Sequence, residues 1–228
     1  MTKIYRIIIF LTLINLSFSA NAHIQHYDDL NRIEFDIYRN NKHIGKHVFS
    51  FKKSEGKIAV ESEINFEIKK LGIVFYKYHV KGTEIYKAGK LIKFNSKTNQ
   101  NGKEKYVNMT LEEEGEYIID GSSYQGKAPV DYLLGTWWNH SIVKAKAQIS
   151  AVSGRIIKQK VTFLGKETIK IDDKSYKTLH FNFSSTDKKI SKKKKLNTDV
   201  WYDEKTLNWV KASFNKQGKW EYKLVSVE

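Results

Sequence analysis

The chain contains no cysteine and a single proline, Pro129. The absence of cysteine excludes disulfides, thiolate metal sites, a catalytic thiol and a lipid-modified cysteine behind a signal peptide. Because proline cannot donate a backbone hydrogen bond, its scarcity leaves the interiors of β-strands free to pair. No apolar run reaches the ~20 residues that a membrane-spanning helix requires. The fold must therefore rest on packing alone.

Arginine is also scarce, although the chain is strongly basic. Lysine supplies 36 of the 40 basic residues, and the formal net charge is +15. Sites that bind phosphate or carboxylate in a bidentate manner favour arginine, which the chain mostly lacks. The composition therefore predicts a solvated, lysine-rich surface, with an anionic membrane surface or an acidic polysaccharide as the alternative partner. No nucleic-acid partner is predicted.

The first residues have the pattern of a secretory signal peptide. Two basic residues precede or flank the start of an apolar run over residues 7–14, and Ala20-Asn21-Ala22 has the small residues that a signal peptidase recognises. We therefore predict a signal peptide over residues 1–22. The exported chain would be a single β-rich domain over residues 23–228, located in the periplasm or secreted.

Period-two alternation is the strongest pattern in the rest of the chain. Ile33, Phe35 and Ile37 alternate with polar residues, and apolar residues recur at every second position over 58–68. Gly82 is predicted to be a bulge at which the faces of a strand switch. We predict an antiparallel all-β fold, built as a curved, barrel-like sheet or as two related halves over residues 31–125 and 150–228.

One short helix is predicted between these halves. Pro129 suits the first turn of a helix, and the apolar residues that follow recur at the spacing of one helical face. The helical segment is placed at residues 129–143. It would lie across the sheet as a lid.

Several short motifs resemble an exported bacterial family. They are Asp36-Ile37-Tyr38, Lys42-His43-Ile44-Gly45 with His47, Trp138-Asn139, Ser153-Gly154, Trp201-Tyr202-Asp203 and Trp209-Val210. The chain resembles the domain-of-unknown-function family numbered six-one-three-four, a neighbour of the periplasmic family three-one-zero-eight. The resemblance implies a β architecture and a place in the cell envelope. The family brings no assigned activity.

Aromatic and apolar residues around the predicted helix indicate a ligand site. They are Leu133, Leu134, Trp137, Trp138, Asn139, Trp201 and Trp209. Plain core packing is the alternative interpretation, since aromatic residues dominate the interiors of β domains. The functional hypothesis is a non-enzymatic protein that binds an apolar or amphiphilic envelope ligand, such as a lipid, between the sheet and the lid. No catalytic residue, cofactor or metal site is predicted, and the oligomeric state stays open.

A cluster of six lysines lies between two predicted strands. It comprises Lys188, Lys189, Lys192, Lys193, Lys194 and Lys195. A mobile, soluble loop is the simpler interpretation. Contact with an anionic membrane surface is the functional one, because each lysine near such a surface contributes ~1 kcal/mol.

Two other classes of protein remain as alternatives. The first is an enzyme acting on the envelope or on polysaccharide, as a hydrolase or as a copper oxidase that uses His23 at the new amino terminus. It would need two carboxylates or a histidine cluster in one concave site. The second is an outer-membrane barrel, which the charged non-core faces of the strands and the absence of a terminal aromatic residue disfavour.

Overall fold

β-strands joined by short turns make up most of the described chain. The computed structural model describes Tyr27 and residues 29–113, 115–191 and 194–228. Their strands are β1 (Arg32–Arg39), β2 (Lys42–Ser54), β3 (Lys57–Lys70), β4 (Ile73–Lys87), β5 (Lys90–Gln100), β6 (Lys103–Leu111), β7 (Glu116–Gly121), β8 (Tyr124–Pro129), β9 (Leu133–Leu134), β10 (Ala147–Ile149), β11 (Ile156–Ile171), β12 (Lys174–Ser185), β13 (Asn197–Asp203), β14 (Trp209–Asn215) and β15 (Lys219–Val227).

These strands form one sheet with a simple order. The order is β8-β7-β6-β5-β4-β3-β2-β1-β15-β14-β13-β12-β11-β10-β9, and its two edges, β8 and β9, form no ladder with each other. Every pair in the sheet is antiparallel except β9 with β10. The prediction of an antiparallel all-β fold is confirmed.

The first hairpin shows how the alternating sequence produces this sheet. Ile33, Phe35 and Ile37 of β1 are completely buried, whereas the residues between them are half-buried. Asn40 and Asn41 take φ values of 49° and 62°, the left-handed conformation that a two-residue turn between twisted strands requires. Side-chain alternation and turn chemistry thus agree on the same hairpin.

All the strands curl around one interior. A continuous cluster of buried apolar residues draws members from both halves of the sheet, including Phe35 and Phe94 from the first half and Phe183 and Tyr202 from the second. The gap between the two edges is bridged where Ser123 N donates to Ser153 O at 2.9 Å. Gly121 permits this approach, since a Cβ there would lie 2.7 Å from Ser153 O.

The antiparallel order places the turns at two opposite ends of the sheet. One end carries the turns at 55–56, 88–89 and 172–173, and we name it the Gly89 end. The other carries the turns at 40–41, 71–72 and 101–102 together with the loop between β12 and β13, and we name it the Gly72 end.

The helix predicted over residues 129–143 is wrong in type and extent. Pro129 ends β8, Leu133–Leu134 forms β9, and the helical part is a 3₁₀ helix, His140–Lys144. Trp137 has a φ of 61°, and Asn139 is extended, so neither can continue a helix. The apolar spacing arose because successive side chains pack against different walls of the interior. We name residues 130–146 the central segment.

The bulge predicted at Gly82 is also wrong. Gly82 pairs in register with Ser62 on one side and Ser96 on the other. A Cβ at this position would lie 3.1 Å from Ser62 Oγ and 3.2 Å from a ring carbon of Phe94. The glycine therefore makes room for neighbouring side chains inside the sheet.

Candidate ligand site

A pocket of about 330 Å³ opens at the Gly89 end, between the turns of the sheet and the central segment. Its volume falls within the ~300–1,000 Å³ that is usual for small-molecule sites. The lining residues come from three places: the strands and turn around Gly89, the ends of β6 and β7, and the central segment. They are Tyr86, Gly89, Lys90, Leu91, Leu111, Gly115, Tyr117, Val130, Leu133, Leu134, Asn139, Ser141 and Ile142.

The central segment forms the inner wall of this pocket and is held by local hydrogen bonds. Asn139 caps the 3₁₀ helix by accepting a hydrogen bond from Ser141 N at 3.0 Å. Gly135 N donates to Ile149 O at 2.9 Å, which ties the segment to β10. Tyr202 in β13 donates its hydroxyl to Trp137 O at 3.0 Å. The pocket wall is thus anchored to the second half of the sheet.

Trp138 anchors the same segment to the first half. Its ring is completely buried and packs edge-on against Tyr27 at 5.3 Å, Phe51 at 5.2 Å and Tyr86 at 5.6 Å between ring centroids. Its indole Nε1 donates to Glu84 Oε1 at 2.9 Å. The central segment therefore contacts strands from both halves and fills the middle of the interior.

Glu84 is a completely buried carboxyl beside the pocket. Its hydrogen-bond partners are all uncharged: Tyr86 donates to Oε2 at 2.5 Å, Trp138 donates to Oε1, and Thr136 also bonds to the carboxyl. Burial raises the pKa of Glu84 to about 7, although these three hydrogen bonds act in the opposite direction. Near neutral pH the carboxyl is therefore balanced between its neutral and charged forms.

A chain of polar groups links this carboxyl to the pocket. Asn139 and Tyr86 both line the pocket, and the side chain of Asn139 is hydrogen-bonded to Tyr86. Tyr86 in turn donates to Glu84. An apolar wall with a few converging polar groups at its base is the usual composition of a site for an amphiphilic molecule.

The structure separates the seven predicted ligand residues into different places. Leu133, Leu134 and Asn139 line the pocket, and Trp138 lies behind it against Glu84. Trp137 packs on Trp209 at 5.6 Å in another part of the interior, away from the pocket lining.

Trp201 lies on the outer face of β13 and does not line the pocket. It stacks on His180 at 4.2 Å and donates to Glu167 Oε1 at 2.6 Å, while Lys211 Nζ lies 4.9 Å from its ring. Trp201 and Tyr202 are consecutive and both buried, so alternation alone did not distinguish the inward ring from the outward one.

Sequence reasoning missed Glu84 and Tyr86. A signal was available, because Glu84 lies on the same face of β4 as Val80, Gly82 and Tyr86, and that face points inward. A carboxylate at an inward position of a strand is uncommon and is found where it serves a specific purpose.

The lysine cluster lies at the opposite end of the sheet from the pocket. Lys188, Lys189, Lys194 and Lys195 are exposed on the loop between β12 and β13, and Arg155 Nη2 donates to Lys194 O at 3.2 Å. Lys192 and Lys193 lie outside the described residues. The four described lysines are therefore accessible on the outside of the protein.

Two requirements of the enzyme alternative can be compared with the described part of the chain. The pocket lining contains no carboxylate among the described residues, and its polar groups reach one carboxyl, Glu84, through Tyr86. No group of three metal-binding side chains occurs among the residues that the structure describes. The predicted signal peptide and His23 fall outside those residues, so export and the copper site stay predictions.

Across the described ranges, no helix has the length and apolar character needed to span a bilayer.

The fold and the pocket define an all-β protein in which a barrel-like sheet surrounds an internal segment. The chain belongs to the family described as "Domain of unknown function (DUF6134)", which matches residues 35–225. This is the family numbered six-one-three-four that the short motifs indicate, so that resemblance is confirmed. No curated protein matches the chain significantly.

Two solved structures are similar to this one. The first is a beta-barrel-like protein of domain of unknown function DUF1849 from Brucella abortus, with a TM-score of 0.60 and 12% identity, covering 87% of this chain and 98% of that one. The second is a Bacteroides fragilis protein with a YmcC-like fold, described by its name as exported, with a TM-score of 0.32 and 10% identity over 86% and 94% of the two chains. The first likeness shows the barrel-like fold, and the second carries no argument.

Proposed function

We propose that the protein binds an apolar or amphiphilic small molecule, such as a lipid, in the pocket at the Gly89 end, without catalysis. The observation that supports this proposal is the combination of leucine walls with a polar base. Leu91, Leu111 and Leu133 supply apolar surface, while Asn139 and Tyr86 offer hydrogen bonds to a polar headgroup. Desolvating the tail against the leucines provides affinity, and the polar pair fixes the orientation.

The proposed setting of this activity is the cell envelope. The signal-peptide pattern of residues 1–22 supports a location in the periplasm or outside the cell. Envelope lipids and their breakdown products are the amphiphiles available there. The exposed lysines at the Gly72 end are proposed to face an anionic membrane surface, opposite the pocket.

The pocket can be tested with the fluorescent apolar probe N-phenyl-1-naphthylamine and a fatty acid as competitor. We expect the probe to bind with increased fluorescence and the fatty acid to displace it. Leu133→Gln places an amide in the pocket wall at similar volume, and it should weaken probe binding about tenfold or more, since each 1.4 kcal/mol lost is tenfold in affinity.

Leu164→Gln is the matched control for this experiment. Leu164 is 53% exposed on β11 and does not line the pocket, so its replacement should leave probe binding unchanged. Native mass spectrometry of the protein purified from its own envelope should also show a bound lipid. Equal probe binding by Leu133→Gln and wild type, or an unliganded mass together with no probe binding, would overturn the proposal.

A further inference from the structure

The hairpin of β3 and β4 projects beyond the rest of the sheet at the Gly72 end. β3 pairs with β2 only as far as Phe66, opposite Gly45, and β4 pairs with β5 only from Tyr78, opposite Gln100. In the described ladders, residues 68–76 pair with each other alone. At ~3.3 Å per residue, the ribbon extends about 13 Å past Phe66.

The tip of this hairpin is apolar and exposed. Leu71 is 92% exposed, Ile73 is 65% exposed and Phe75 is 59% exposed, and Val74 between them is also exposed. Phe75 lies at a register shift, where β3 offers it no opposite residue. Scattered exposed apolar residues are ordinary, but a contiguous group at the end of a projecting ribbon marks an interaction site.

The turn itself shows that an apolar residue is placed there against local preference. Leu71 and Gly72 form a two-residue turn with φ values of 51° and 80°. Asparagine or aspartate is favoured at the first position of such a turn, because both tolerate positive φ. The neighbouring turn between β5 and β6 follows that rule with Asn101 and Gly102. Glu55 and Ala88 hold the same position in turns at the Gly89 end, so the preference is not strict. Leu71 differs from both in presenting a large apolar side chain, 92% exposed, at the end of a projecting ribbon.

Positive charge and aromatic rings lie directly behind the apolar tip. Lys69, Lys70 and Lys77 flank it, and a single acid, Glu67, forms ion pairs with Lys69 at 3.2 Å and Lys77 at 3.4 Å. Phe66 packs on Tyr78 at 4.8 Å and on Trp220 at 5.3 Å. Apolar residues at the front, with aromatic rings and lysines behind, reproduce the layering of a membrane–water interface.

Basic residues also predominate over the rest of the Gly72 end. The exposed lysines of the loop between β12 and β13 lie at this end, as do Lys103 and Lys105 at the start of β6. Partial burial lowers the pKa of Lys105, and the nearby Lys103, Lys216 and Arg155 lower it further. Cations from both halves of the chain are therefore close enough to repel one another, and an anionic surface would relieve that repulsion.

We propose that the tip of the β3–β4 hairpin inserts into the interfacial region of an anionic lipid bilayer, with its lysines contacting the headgroups. Leu71, Ile73 and Phe75 enter the boundary of the acyl chains, and the Gly72 end of the sheet faces the membrane. The pocket then opens on the side away from the bilayer. The proposal extends the role suggested for the lysine loop and does not depend on what the pocket binds.

The absence of cysteine makes a site-specific test possible. An environment-sensitive nitrobenzoxadiazole label on Leu71→Cys should brighten and shift to the blue with vesicles that contain phosphatidylglycerol. It should respond much less to vesicles of phosphatidylcholine alone. The same label on Glu55→Cys is the matched control, since Glu55 holds the equivalent turn position, with a φ of 50°, at the opposite end and does not line the pocket. The control label should not respond to either vesicle.

Leu71→Asn separates insertion from folding. Asparagine suits the positive φ of the turn, so the variant should be at least as stable as wild type. In co-sedimentation with phosphatidylglycerol vesicles it should bind about tenfold more weakly or worse, because the most exposed apolar side chain is lost. Leu164→Asn removes an exposed leucine elsewhere and should bind as wild type does.

Three results would overturn insertion of the hairpin. The first is wild type that does not sediment with phosphatidylglycerol vesicles, and the second is Leu71→Asn that binds as tightly as wild type. The third is a tip that mediates self-association, seen as an oligomer that Leu71→Asn dissociates while vesicles have no effect. If Lys188→Gln with Lys189→Gln abolishes binding and Leu71→Asn does not, the lysine loop binds the membrane without the hairpin.

Discussion

Glu84 and His47 are two buried titratable groups whose effects on stability run in opposite directions. Burial raises the pKa of Glu84 to about 7 and lowers the pKa of His47 to about 3. His47 packs among aromatic rings, with Phe49 at 4.2 Å, and no described residue supplies a hydrogen bond to its Nδ1. Each group therefore favours its neutral form in the folded protein.

The sign of each contribution follows from these pKa directions. The unfolded chain ionises Glu84 from about pH 4.5 upward, so this group destabilises the fold progressively up to about pH 7, by ~3 kcal/mol in all. His47 is charged in the unfolded chain below about pH 6.5, so its contribution to stability falls as the pH is lowered. Between about pH 4.5 and about pH 6.5, a rise in pH therefore lowers the free energy of unfolding through Glu84 and raises it through His47.

Glu84→Gln should remove the contribution of Glu84 to the pH dependence of the free energy of unfolding and leave that of His47. Glutamine has nearly the same shape and can still accept from Trp138, but it cannot ionise. Relative to wild type, the variant should gain about 3 kcal/mol of unfolding free energy between about pH 4 and about pH 8. Urea unfolding across this range measures the difference. Glu61→Gln, at an exposed glutamate on β3, is the control. A constant difference between Glu84→Gln and wild type would contradict the buried, neutral carboxyl.

At the scale of elements, the β1–β15 ladder joins the two halves of the sheet at their margin, and the central segment connects them across the interior. Trp138 reaches Glu84 in β4, whereas the backbone at Trp137 accepts from Tyr202 in β13. Its residues pack in several directions, so no single face of the segment carries its apolar character. This is the physical reason why helical spacing in the sequence did not become an α-helix.

Trp138→Phe tests the hydrogen bond that this segment makes. Phenylalanine keeps most of the ring contacts but removes the indole N–H, which leaves a buried carboxyl oxygen short of a donor. The expected loss is about 1–3 kcal/mol of unfolding free energy. Trp201→Phe removes a similar bond to Glu167 on the outer face, where water can replace it, so that loss should be smaller. Thermal or urea unfolding compares the two, and equal losses would count against the interior role.

The strands were predictable from sequence because their signal is local. Ile33, Phe35 and Ile37 show the alternation directly, and Asn40-Asn41 shows the turn. The position of Trp201 on the outside and the inward Glu84 depend on what lies across the sheet. The pocket itself depends on contacts such as Tyr27 with Trp138, which are distant in sequence. Pattern within a strand cannot report such contacts.

At the scale of the whole molecule, one interior is shared by every part of the sheet. We therefore expect unfolding in a single cooperative transition, because neither half can keep its core when the central segment leaves. Near-ultraviolet circular dichroism of the buried tryptophans and far-ultraviolet circular dichroism of the strands should give the same midpoint. Two separate transitions would instead favour the prediction of two related halves, which stays a prediction.

The open edges of the sheet also bear on the behaviour of the protein at high concentration. β9 has only two residues, and β8 carries Lys127 and ends at Pro129, the one residue of the chain without a backbone N–H to offer. A strand of another molecule could form few backbone hydrogen bonds with either edge. Intermolecular β-pairing and aggregation are therefore suppressed where the barrel is incomplete. The single proline thus lies where protection against neighbouring copies is needed.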